Sequence, residues 1–258
     1  MKYLALISVL FLTACPSLKE MKQKVERKPR LSMFVGVDVS GSFLRSQHYE
    51  NALEFLAHYI YGHINGLGEM EVPAVLFVGE IGGSDVGEPK TLFPIHTFQG
   101  KSISEIHRQL KDIFPRKRED AITDFNVFFK QIQTYIRTRK LALRPISIVL
   151  LSDGIPDHGE SGEPNQDFDY RRVDLSSLER LSRTITIRLL YTSPKVGLKW
   201  QTEVPRKRVR LWTQDAVVMS QWKAPNIYSA NKPFAEQRQF FDWVRENVNF
   251  GVRAVRVD

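Results

Sequence analysis

Three short segments of this chain carry hydroxyls and carboxylates where an ordinary connection needs none. The stretch "FVGVDVSGSF" (34–43) sets Asp38, Ser40 and Ser42 on alternate positions just after an apolar run. Thr123 stands before Asp124 at the head of an apolar-periodic segment, and Asp153 follows "ISIVLL" within Ser152-Asp153-Gly154. Oxygen ligands of this kind are hard donors, suited to Mg2+, with Mn2+ or Ca2+ as the other fitting ions, rather than to zinc. The competing reading is structural. Ser42 and Thr123 are each good helix N-caps, whose side-chain oxygens would accept their own backbone N–H groups. The two readings differ in whether these oxygens face one another or their own helices.

The elements that must position these groups alternate along the chain. Leu31 to Val37, Val72 to Val78, Ile146 to Leu151 and Ile185 to Tyr191 read as buried strands, Thr91 to Phe98 as a shorter one, and Val209 to Met219 as a further strand region. Leu53, Leu56, Ile60 and Ile64 fall at three- and four-residue spacings and predict a helix over about 44–64. Helices are likewise predicted over Ile103 to Phe114, Asp124 to Arg139, about 174–182, and around Phe240, Phe241, Val244 and Val248 near Pro233. Gly79–Gly87, 152–169 and 192–208 read as loops, the last covering a sheet edge with Trp200 packed beneath it. Such alternation predicts an α/β fold: a doubly wound, mostly parallel central sheet with helices on both faces. Chemistry in such folds gathers at the carboxyl ends of the strands, where Asp38 and Asp153 would lie.

In order, spacing and placement, Asp38-x-Ser40-x-Ser42, then Thr123, then Asp153 within "LLSDG" resemble the metal-ion-dependent adhesion site of von Willebrand factor type A domains. The resemblance covers roughly residues 31–250. It implies that Ser40, Ser42 and Thr123 offer hydroxyls to a divalent ion, and that Asp38 and Asp153 act directly or through water. It also implies that the ion keeps one position open for an acidic residue of a protein or peptide partner. Neutral hydroxyls with only two carboxylates leave the cation under-neutralised, so an incoming carboxylate gains more. Thr123 departs from the family habit of following glycines, since Asp120-Ala121-Ile122 precedes it. Asp120 and Asp124 flank it as candidates for outer hydrogen bonds to the ligands, or Asp124 simply favours the helix N-terminus.

The N-terminus sets an expectation about place. Met1-Lys2 precedes an apolar stretch too short for a bilayer, which needs roughly 20 residues, but of signal-peptide length. Leu12-Thr13-Ala14-Cys15 resembles the lipobox of bacterial lipoproteins, which implies cleavage before Cys15 and lipid on its thiol and new amino group. Cys15 is the only cysteine, so the chain has no disulfide within itself and no catalytic thiol in its body. The expected organisation is therefore a signal peptide (1–14), a charged tether (15–30), the α/β domain (31–250) and a C-terminal tail (251–258). The expected location is a bacterial cell envelope, lipid-anchored to a membrane.

Composition narrows the function classes. A hydrophobic share of 42% supports a real core, and a net charge of +8 invites anionic lipid or acidic protein rather than choosing between them. Basic clusters at Arg116-Lys117-Arg118, Arg137 to Lys140, Arg171-Arg172 and Arg206 to Arg210 lack interleaved aromatics, so nucleic acid is not expected. No Gly-x-Ser-x-Gly elbow, phosphate loop or His-Glu-x-x-His occurs. The expected function is metal-dependent binding of a protein or peptide, without catalysis. The alternatives are a metal-assisted or serine hydrolase, with Ser40 or Ser42 as nucleophile and His158 or His48 as base, and a scaffold whose metal site is vestigial.

Overall fold

The computed structural model describes residues 28–82, 90–116, 122–156 and 168–249. Among them, six strands form one sheet in the order β3-β2-β1-β4-β5-β6. They are β1 (Ser32–Asp38), β2 (Val75–Ile81), β3 (Leu92–Pro94), β4 (Ile146–Leu151), β5 (Ile185–Thr192) and β6 (Arg210–Asp215). β1 pairs in parallel with both β2 and β4, and β5 with both β4 and β6; β3 alone is antiparallel, at the edge. Every residue of β1, β4 and β5 is buried, which is why these strands read as near-continuous apolar runs.

Strand alternation sends side chains to two separate cores. Met33, Val35 and Val37 pack with α2 (Tyr49–Ile64), α3 (Ile103–Ile113) and α7 (Arg238–Asn247) through residues such as Leu56, Ile106 and Val244. Phe34, Ile148 and Leu150 pack on the other face with α4 (Phe125–Thr138) and α5 (Pro194–Glu203) through Phe128, Ile132 and Trp200. The sheet is thus covered on both faces, as the alternation predicts. Among the described residues no helix is long and apolar enough to cross a membrane.

Several expected boundaries move for local reasons. The helix expected over 44–64 is split, into a single turn α1 (Gly41–Leu44) and then α2. β2 starts two residues after Pro73, which has no N–H to give a ladder, and runs through Ile81 into the expected loop. The strand expected over Thr91 to Phe98 is only β3, followed by a 3-10 turn over Ile95–Thr97. No helix forms over 174–182, because Asp174 Oδ1 accepts Ser176 N–H at 2.8 Å and Ser182 Oγ accepts Thr184 N–H at 3.1 Å, turning the backbone locally. The loop expected over 192–208 contains α5, capped by Ser193 Oγ on Val196 N–H at 3.3 Å and opened by Pro194. The strand region expected from Val209 to Met219 ends at Asp215, whose Oδ1 accepts Val217 N–H and starts α6 (Ala216–Ser220). The signal-peptide, Cys15 and most of the tether lie outside the described residues, as do Asp120, His158 and the tail.

Candidate metal centre

Strand order reverses beside β1, with β2 on one side and β4 on the other. The fold rule therefore puts a crevice at the carboxyl ends of β1 and β4. Asp38 is the last residue of β1, and Ser152, Asp153 and Gly154 directly follow β4. Asp38 is completely buried. Its Oδ1 accepts the Ser40 N–H at 2.9 Å, and its Oδ2 accepts the Ser152 hydroxyl at 2.5 Å. The Ser40 and Ser42 hydroxyls lie 3.4 Å apart, and the Ser42 hydroxyl favours the ionised form of the Asp153 carboxylate. Four of the five residues singled out in the sequence are thereby joined: Asp38, Ser40, Ser42 and Asp153.

The capping reading fails for each hydroxyl. Ser40, not Ser42, occupies the N-cap of α1, and its side chain caps nothing. Ser42 lies inside that turn and faces Asp153. Thr123 is not a cap either, because Asp124 holds that position and its Oδ1 accepts Val127 N–H at 3.0 Å. Asp124 therefore supports the N-terminus of α4, one of the two roles open to it in the sequence. Thr123 is 2% exposed, and among the described residues no hydrogen bond ties it to the other four. Ser40 and Ile122, the neighbour of Thr123, are the described residues that make isolated β-bridges.

Electrostatics at this crevice favour an added cation. Burial and then the nearby Asp153 carboxylate push Asp38 up to about 7, against the hydrogen bonds from Ser152 and Ser40 that lower it. Burial also raises Asp153, opposed by Ser42 and the Ile155 N–H. A buried and a half-buried carboxylate with hydroxyl oxygens beside them suit a hard divalent ion, whose charge would ionise both acids. Among the described residues no group of three or more His, Cys, Asp or Glu gathers as a metal site, so any ion here depends on the hydroxyls.

Two residues completing this arrangement were not among the sequence candidates for ligands. Ser152 bonds Asp38 and also accepts the Gly154 N–H at 2.8 Å; its signal was a hydroxyl directly after a buried strand. Trp200, on α5, donates Nε1–H to the Gly154 carbonyl at 2.7 Å and meets Phe125, the first residue of α4, edge-on at 5.0 Å. It couples the Asp153 loop to the helix that follows Thr123. His48, a base candidate, directs Nδ1 to Ser220 Oγ at 3.2 Å rather than to Ser40 or Ser42.

No family model matches the sequence, and no curated protein matches it. Among solved structures the chain is similar to proximal thread matrix protein 1 from the mussel byssus, at 14% identity and TM-score 0.46, over 75% of this chain and 46% of that one. It is similar to a von Willebrand factor type A protein from Catenulispora acidiphila at 16% identity and TM-score 0.45, over 75% and 40% of the two chains. It is also similar to the VWA domain of SpRpn10 at 10% identity and TM-score 0.43, over 85% and 96%. The chain spans less than half the length of the first two.

Proposed function

We propose that this chain is a von Willebrand type A-like binding protein that uses a divalent metal to engage an acidic group of a protein or peptide partner. The observation that carries this reading is the fate of the hydroxyls: Ser40, Ser42 and Thr123 cap no helix, and Ser40 and Ser42 meet beside Asp38 and Asp153. Ser40, Ser42 and Thr123 would hold the ion together with Asp38 and Asp153. Mg2+ is the first choice, with Mn2+ or Ca2+ also fitting the donors. Bound there, the ion supplies a positive charge and an exchangeable position for a partner carboxylate. Ser42 is exposed and Asp153 half-buried, so the crevice is reachable from solvent on that side. Of the two base candidates for catalysis, the His48 ring is engaged with Ser220, and His158 lies outside the described residues. We further propose that Cys15 carries lipid and holds the domain at a bacterial cell-envelope membrane through residues 16–30.

Calorimetric titration of Mg2+ and Mn2+ into the protein tests the site. Saturable binding that is lost in Asp38→Ala supports it, and equal heats from both proteins would remove it. An acidic peptide retained by the wild type only while metal is present supports the partner class. Metabolic labelling with a fatty acid, abolished in Cys15→Ser, tests the anchor.

A further inference from the structure

At the opposite end of the sheet a 330 Å3 cavity lies between the strands and α7, lined by Met33, Ser147, Arg188, Met70, Phe241 and His63 among others. Arg188, on β5 next to the edge strand, points to the same face as Ser147 and Met33 and is 3% exposed. A buried guanidinium without a counter-charge is costly, and each of its five N–H groups needs an acceptor. Here one nitrogen donates to Ser147 Oγ at 2.8 Å, while Nε has no partner. The only described group that electrostatically favours its charge is the Tyr59 hydroxyl, itself bonded to Asn249 Oδ1 at 2.8 Å. His63, 3% exposed, adds a second unanswered group: Nδ1 is bonded to the Glu71 carbonyl at 2.8 Å, which leaves Nε2 as an acceptor without a donor. The remaining lining is apolar at Leu31, Met33, Met70, Ile146, Phe241 and Val244 and polar at Thr184, Thr186 and Arg245, the last paired with Asp242. Glu69 and Glu71 are exposed where the cavity meets solvent and do not act on Arg188.

We propose that this cavity binds a small organic monocarboxylate with an apolar body, its carboxylate on Arg188 and its hydrocarbon against Met33, Met70 and Phe241. The volume falls within the range of small-molecule pockets, about 300–1,000 Å3. A charge-assisted hydrogen bond to Nε answers the unpartnered donor. The exposed glutamates disfavour ligands with further negative charge. This site is separate from the proposed metal crevice and does not depend on it.

The test uses octanoate, with octanol as the uncharged analogue, titrated into the full chain by calorimetry and followed by melting temperature and by the Arg188 Nε–H resonance. Octanoate is expected to bind one-to-one, raise the melting temperature and shift that resonance, with octanol at least about tenfold weaker. Arg188→Met, which replaces a buried charge by an apolar chain of similar length, should fold and lose the preference for octanoate. Should that variant fold poorly, Ser147→Ala and the wild-type resonance carry the test, the former expected to weaken octanoate several-fold. Equal binding of octanol, an unmoved Arg188 resonance, or full octanoate binding by Arg188→Met overturns the proposal. Binding that emerges only after removal of residues 250–258 also overturns it, by making the chain's own carboxylates the occupant.

Discussion

Ser152 and Asp38 stand 114 residues apart in sequence and are joined by a 2.5 Å hydrogen bond from hydroxyl to carboxylate. The bond fastens the carboxyl end of β4 to that of β1, so the two loops of the crevice are held in one register. It also favours the ionised form of Asp38, working against burial. Ser152→Ala removes this donor and the acceptor of the Gly154 N–H together. The expected cost is about 1–3 kcal/mol of stability. Metal binding should weaken and its pH midpoint should rise, because Asp38 then gives up its proton less readily. Urea unfolding and Mg2+ calorimetry at several pH values read both effects.

Asp38 and His63 impose opposite pH dependences on the metal-free protein. Asp38 is raised from 3.8 to about 7, so the fold keeps a proton that the unfolded chain releases, and stability from this group falls as pH rises between those values. Burial, followed by the repulsion of Arg188, lowers His63 from 6.5 to about 4, although its bond to the Glu71 carbonyl opposes this. The unfolded chain then takes up a proton that the fold refuses, and stability from His63 falls as pH drops from 6.5 towards 4. The two slopes offset each other across that window. Asp38→Asn should expose the histidine limb as a steeper acid destabilisation. Saturating Mg2+ should do the same in the wild type by keeping Asp38 ionised. Melting temperatures between pH 4 and pH 8 decide it; identical profiles for wild type and Asp38→Asn would show that Asp38 does not hold its proton.

Sequence patterns located the strand ends more closely than the helices around them. β4 was legible to the residue because "ISIVLL" is buried on both faces and ends at a polar turn. Asp38 and Asp153 were legible by the same logic, as the first carboxylates at the ends of two central strands. α5 was not, since Gly197 and the flanking prolines read as loop. The glycine is there because a side chain would come within 3.0 Å of Thr213 Oγ1 on β6, a close approach that periodicity cannot register. Ser152 was overlooked as a functional group because its partner lies across the sheet, and only the parallel register of β1 and β4 brings them together. Thr123 is the converse: its residue type marked it, yet among the described residues no hydrogen bond shows its reach to the crevice.

Trp200 should report on that reach. Its indole N–H satisfies the Gly154 carbonyl, and its ring meets Phe125 at the start of α4. Trp200→Phe keeps most of the apolar volume but leaves a buried carbonyl unpaired, at a cost of about 1–3 kcal/mol. Trp200→Ala adds a cavity and should cost about 3–5 kcal/mol. If the Asp153 loop and the Thr123 segment act together on the metal, Trp200→Phe weakens Mg2+ binding while the protein stays folded. Chemical denaturation paired with calorimetry separates the two effects, and unchanged affinity in a folded Trp200→Phe would disconnect the tryptophan from the site.

Gly154 sits where both supports of the crevice meet. Its N–H goes to Ser152 Oγ, its carbonyl takes the Trp200 N–H, and its φ of 77° lies in the left-handed region. A Cβ there would come within 2.9 Å of Leu189 Cδ2 and 3.0 Å of Val196 Cγ1. Gly154→Ala combines backbone strain with overpacking, for an expected loss of about 1–3 kcal/mol. The strain relaxes most easily by moving the loop outward, which takes Asp153 away from Ser42 and Asp38. Mg2+ affinity should therefore fall about tenfold or more even at temperatures where the variant is fully folded, a loss of about 1.4 kcal/mol. Circular dichroism establishes the folded fraction, and calorimetry on the same sample measures the affinity. A folded Gly154→Ala that binds Mg2+ as tightly as the wild type would mean that the position of Asp153 does not control the ion.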